Sequence, residues 1–246
     1  MLPIRDDNPT TITPIVNWAL ILACAAVFVF VQPRDSRDFA AFLYQDAAIP
    51  CELVTLEPLS VDEIETPMCR YGGEPFFADK NVLYSFVASI FFHGGILHLV
   101  GNLWTLWIFG NNIEDEFGHV RYLIFFVLGG LLASFAHVLG GPTSTVPVVG
   151  ASGAIAAVMG AYLILHPSAR VTSIIPPLFF FPFRVPAAIF LVIWLLGQFS
   201  LSRADSNIAW LAHVGGFVVG VGYALLVRRH RRREKEEQNR ARRLGW

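Results

Sequence analysis

The chain has 246 residues, 54% of them hydrophobic and 15% charged, against about a quarter charged in an ordinary soluble domain. The formal net charge of -1 conceals a segregation: nine Arg or Lys and three Glu lie between Arg228 and Arg243, and four basic and ten acidic residues lie between Pro33 and Lys80. This composition excludes an ordinary soluble domain and points to an all-α polytopic membrane protein with no nucleic-acid partner.

Residues 1–14 form a short leading segment. The first apolar run, 15–31, lacks a convincing small-residue cleavage site and reads as a retained helix. Further apolar runs fall at 97–109, 122–139, 149–165, 186–199 and 208–227. Several are shorter than the roughly 20 residues that span a bilayer, which tilt or burial within a bundle accommodates. The piece 82–92 is too short to span and reads as interfacial or partly re-entrant. Six spans put both termini on one side, and the Arg-rich tail assigns that side to the cytoplasm. The expected parts are a cytoplasmic segment 1–14, a six-helix membrane domain 15–227 with a long extracytoplasmic loop 33–81, and a basic cytoplasmic tail 228–246. A bacterial inner membrane is the expected location. The segment 140–147, with Gly140, Gly141, Pro142 and Pro147, cannot be helical. Irregular backbone at membrane depth is tolerated when buried in protein or lining a watery cavity, so the fourth helix is expected to start below the outer surface. The stretch 176–183 holds three prolines and reads as a cytoplasmic interfacial loop. The fifth loop carries Arg203 and Asp205.

Polar residues inside such runs are functional suspects. Ser152 sits between Gly150 and Gly153 at the head of the fourth run. A lone serine in a membrane helix usually bonds a carbonyl one turn back. Here the glycines permit close approach of a backbone or substrate, and a helix N-terminus offers free N–H groups to an oxyanion. His213 heads the sixth run. Ala212, Gly216, Gly220 and Ala224 form a small-residue stripe at four-residue spacing, and Gly153, Ala157 and Ala161 form another. Such stripes allow close helix packing. If they meet, Ser152 and His213 lie at the same end of the contact, as a nucleophile and its base require. No Asp or Glu is spaced to orient the histidine, so a dyad is expected rather than a triad. His98 and Asn102 share a face of the second helix. They serve either as interhelical glue or as donors to a developing oxyanion. A metal site from His93, His98 and His213 is disfavoured, because no acidic ligand accompanies them.

The pieces His93-Gly-Gly-Ile-Leu-His98-Leu-Val-Gly-Asn102, Glu114 to Gly118, Gly150-Ala-Ser152-Gly153 and Ala212-His213-x-x-Gly216-x-x-x-Gly220 resemble the rhomboid family of intramembrane serine proteases. The likeness covers roughly residues 81–227. It implies a six-transmembrane-helix rhomboid bundle with Ser152 as nucleophile and His213 as general base. His98, Asn102 and the Ser152 N–H would hold the oxyanion. His93, Gly150, Gly153, Gly216 and Gly220 would support the site. Glu114 and Gly118 would anchor the cytoplasmic end of the second helix. Transmembrane protein substrates, cut near the outer membrane face, are implied, and no cofactor is. Three departures stand out. Ala157 replaces a frequent glycine, Ala156 replaces a tyrosine that packs on the histidine in some members, and a first-loop Trp–Arg pair is absent. The rival readings are a non-cutting rhomboid-fold escort and a small transporter.

Cys24 lies in the first apolar run. Cys51 and Cys69 lie in the acidic loop, 17 residues intervening. An oxidising exterior permits a disulfide between them, and the spacing equally allows two free thiols.

Overall fold

The computed structural model describes residues 1–66, 68–70, 72–175, 181–201 and 209–243. The fold is mostly helical. In chain order it runs β1 (Leu2–Asp6), α1 (Ile15–Phe30), α2 (Ser36–Asp46), α3 (Pro50–Thr55), α4 (Val61–Glu65), α5 (Val82–Ala88), α6 (Ile96–Phe117), α7 (His119–Gly140), α8 (Ser152–Leu165), β2 (Arg170–Ile174), β3 (Phe183–Pro186), α9 (Ala187–Leu201) and α10 (Trp210–Arg243). Two helices, His119–Gly140 and Trp210–Gln238, are long and apolar enough to cross a membrane, while Ile15–Phe30, Ser152–Leu165 and Ala187–Ser200 are shorter apolar helices.

α8 is the axis of the molecule. Every residue from Gly153 to Tyr162 is buried, and α6, α7, α9 and α10 pack around it. At 14 residues it is about 21 Å long, less than a bilayer core of about 30 Å. The two small-residue stripes meet along its length. A Cβ at Gly216 would overlap the carbonyl oxygen of Gly153, one at Gly220 that of Ala157, and one at Gly160 that of Phe217. Glycine and alanine therefore bring two backbones into direct contact, which larger side chains would prevent.

The all-α expectation needs correction. β1, β2 and β3 form an antiparallel sheet in that order, with Leu2 opposite Ile174 and Val171 opposite Val185. β-Branched residues in Arg170–Ile174 favour the extended form. β1 is also tied to the helices. Asp6 accepts from Tyr162 Oη at 2.6 Å and from Asn112 Nδ2 at 2.7 Å, and the Trp104 indole donates to the Pro3 carbonyl at 2.6 Å. Of the proline-rich stretch expected as an interfacial loop, residues 176–180 lie outside the described residues, as does the loop carrying Arg203 and Asp205. α10 continues from the apolar run into the basic tail without interruption as far as Arg243.

The loop between α1 and α5 is a compact unit. Cys51 and Cys69 are joined by a disulfide with a Cα–Cα distance of 5.8 Å. Ser60 and Glu63 close a capping box at the start of α4. Lys80 and Glu52 form an ion pair at 2.5 Å whose side chains are 0% and 1% exposed. Lys80 Nζ also donates to the Tyr44 and Ala47 carbonyls, and Glu52 accepts the Leu59 N–H. Burial pushes the Glu52 carboxyl up and the Lys80 ammonium down from their ordinary values, and their mutual attraction opposes both shifts.

Candidate active site

The chain enters α8 through the non-helical residues 141–151. Hydrogen bonds from outside hold this entry in place. The Val148 N–H donates to the Ala48 carbonyl, the Gly150 N–H to the Ser89 carbonyl and the Cys51 N–H to the Ser144 carbonyl. Gly150 has φ +129, and a Cβ there would sit 2.8 Å from His98 Cε1. Both conditions demand glycine. The turn delivers Ser152 as the first residue of α8, where the backbone N–H has no intrahelical acceptor.

The α8–α10 contact sets the rest. Ser152 Oγ lies 2.8 Å from His213 Nε2. His213 Nδ1 lies 2.7 Å from Oε1 of Gln198, on α9. Gln198 Nε2 in turn donates to the Trp194 carbonyl at 3.2 Å. The Trp194 ring packs over the imidazole, centroids 6.0 Å apart and tilted by 40°. Trp194 is thus the neighbour that His213 needs, given alanine at Ala156.

Ser152, His213, His98, Asn102 and Gln198 all line one cavity of about 790 Å³, together with residues 146–149 of the entry segment. Asn102 is buried and its Nδ2 has no hydrogen-bond partner among the described residues. A buried donor left unpaired costs about 1–3 kcal/mol, unless a bound group accepts from it. His98 stands one turn away on the same face of α6.

His93 is fully buried behind His98, ring centroids 5.3 Å apart. Its backbone is clamped by Gln32, which accepts its N–H at 2.9 Å and donates to its carbonyl at 2.8 Å. Glu114 and Gly118 lie at the other end of α6, some 16 residues or roughly 24 Å from His98. Glu114 accepts the N–H groups of Val16 and Asn17 at 2.9 and 2.7 Å, capping the start of α1, and binds His119 Nδ1 at 2.5 Å. Gly118, at φ +75, makes the turn from α6 into α7.

Among the cavity-lining residues that the sequence did not single out are Gln198, Trp194 and His137, whose buried Nδ1 has no partner among the described residues. The available signal was the four-residue spacing of Trp194 and Gln198, which places them on one face of a helix.

Comparison with known proteins agrees with this geometry. A family model described as the rhomboid domain matches residues 80–230. The chain belongs to the rhomboid family. RHOMBOID-like protein 5 of Arabidopsis thaliana is 31% identical over 237 residues, covering 90% of this chain and 72% of that protein. Presenilin-associated rhomboid-like protein, mitochondrial, of Homo sapiens is 26% identical over 171 residues, 66% of this chain and 42% of the relative. RHOMBOID-like protein 12, mitochondrial, of Arabidopsis thaliana is 31% identical over 157 residues, 56% of this chain and 44% of the relative. The chain therefore spans less than half the length of these two mitochondrial relatives. Rhomboid family members are membrane proteins and are generally intramembrane proteases, although some rhomboid-like members are inactive.

Proposed function

We propose that this rhomboid protein is an intramembrane serine endopeptidase that cuts transmembrane protein substrates near the outer membrane face. The observation that carries this is the 2.8 Å approach of Ser152 Oγ to His213 Nε2 in a cavity that also presents the unpaired Asn102 amide. His213 takes the Ser152 proton as Oγ bonds the scissile carbonyl carbon. The oxyanion accepts from Asn102, His98 and the Ser152 N–H. The carbon–nitrogen bond breaks as the proton passes from His213 to the departing amine. Water then cleaves the acyl-enzyme by the same steps reversed in role.

The six apolar segments are proposed to span the membrane, with 33–81 outside and both termini on the cytoplasmic side, since nine Arg or Lys cluster between Arg228 and Arg243. The substrate carbonyl must leave its own helix to reach Ser152, because helical hydrogen bonding shields it.

Fluorophosphonate labelling and cleavage of a model transmembrane substrate test the reading together. The wild-type protein should label and cut. Ser152→Ala and His213→Ala should each abolish cleavage while remaining folded, and the double variant should be no worse than either, because members of one unit are non-additive. Substantial cleavage by folded Ser152→Ala overturns the assignment.

A further inference from the structure

We propose that Gln198 is the positioning residue that sets the protonation pattern of the Ser152–His213 pair, so that the working unit is a neutral Ser–His–Gln relay. This rests on the protease reading above.

The Trp194 carbonyl can only accept a hydrogen bond. Gln198 Nε2 lies 3.2 Å from it, so the amide NH₂ group faces Trp194 and the amide oxygen faces His213. That oxygen can also only accept, and it lies 2.7 Å from His213 Nδ1. Nδ1 must therefore carry the proton. A neutral imidazole has one N–H, which leaves a lone pair on Nε2, 2.8 Å from Ser152 Oγ. The base is aimed at the nucleophile by a chain that begins at a backbone carbonyl.

Turning the amide over inverts every link. Two oxygens would then face each other at Trp194, and an amide N–H would point at Nδ1. The imidazole proton would move to Nε2 and face Ser152, and the serine would have no base. The histidine ring nitrogens differ in this way wherever one of them is committed to a partner.

The surroundings explain an amide in this position. Gln198 is 6% exposed, and an unpaired charge at such a site is far more costly than a hydrogen-bonded amide. Among the described residues no carboxylate reaches His213. When Nε2 receives the Ser152 proton, the amide oxygen still accepts from Nδ1. The imidazolium then has an acceptor at Nδ1 throughout the reaction. Trp194 both anchors the amide and packs over the ring, so one turn of α9 determines tautomer and ring orientation together.

The test compares Gln198→Leu with Gln198→Glu. Leucine keeps much of the volume and removes the acceptor. A glutamate carboxyl can offer an oxygen to Nδ1 and, when protonated, a hydroxyl to the Trp194 carbonyl. Gln198→Leu should lower kcat and the rate of fluorophosphonate labelling by roughly tenfold, the scale of one orienting hydrogen bond, with KM for the transmembrane substrate unchanged. Gln198→Glu should recover most of both rates. Thermal unfolding reports whether each variant is folded, and Gln198→Met replaces Gln198→Leu if the latter is not. Wild-type kcat in the folded apolar variant, or an equal loss in the apolar and Glu variants, overturns the relay while leaving the protease reading intact. Persistence of cleavage in Ser152→Ala removes that reading itself.

Discussion

Where α8 meets α10, glycines at Gly216 and Gly220 stand against backbone carbonyls of Gly153 and Ala157. Between Ala47 and Lys80 the chain is held instead by a disulfide, a buried ion pair and a capping box. The contrast follows from surroundings. Two apolar helices in an apolar environment gain little from hydrophobic burial, so they associate by close backbone packing and by a few polar contacts. A loop of short helices has little core of its own and relies on crosslinks. The first region can carry chemistry because its polar contacts are few and directed. In the second, the polar contacts serve to clamp.

That division predicts opposite signatures. Damage to the clamps should lower stability and spare turnover. Damage at the cavity should spare stability and lower turnover. The largest stability effect is expected from Lys80→Met. It strands the Glu52 carboxylate in a dry site, at about 3–5 kcal/mol. Adding Glu52→Leu should recover most of the loss, because removing both charges of a buried pair is often neutral. Thermal unfolding of the single and double variants measures this, and equal loss in both would mean that the pair is not what clamps the loop.

Asn102→Ala should act in the reverse sense. It removes one donor from the cavity and should lower kcat by 10²–10³, about 2.7–4 kcal/mol, with little change in KM or melting temperature. An effect confined to KM would make Asn102 a substrate-positioning residue instead.

Of the two clamp variants, Cys51→Ser with Cys69→Ser should have the smaller effect on stability. Opening a loop of this length should cost about 3 kcal/mol in the chain-entropy model, less any strain, and leave kcat as it was. The backbone bond from the Cys51 N–H to the Ser144 carbonyl does not depend on sulfur. Alkylation of denatured, unreduced wild-type protein should find one free thiol, at Cys24. Three reactive thiols would place the loop's stability on the ion pair and capping box alone.

The small-residue stripes were legible because their period is local: four-residue spacing on a helix puts residues on one face whatever else the chain does. The meeting of Ser152 with His213 followed from matching two such faces. The sheet was not legible. β1 contains Arg5 and Asp6 and finds its partner strand nearly 170 residues later, and no local pattern announces a pairing at that range. Gln198 was not legible as an orienting group, since an amide in an apolar run reads as general interhelical hydrogen bonding.

By itself, then, the sequence determined the apolar helices, the non-helical entry to α8 and the residue types able to form a nucleophile and base. Each of these depends on neighbours within a turn or two. Tertiary structure alone decided which nitrogen of His213 faces Ser152, which ring packs on it, that a sheet strand bonds to α6 and α8 through Asp6, and how the loop between α1 and α5 holds the segment that enters α8. Those outcomes depend on angstrom-scale distances between helices far apart in the chain, and such distances are set by the packing of the whole molecule.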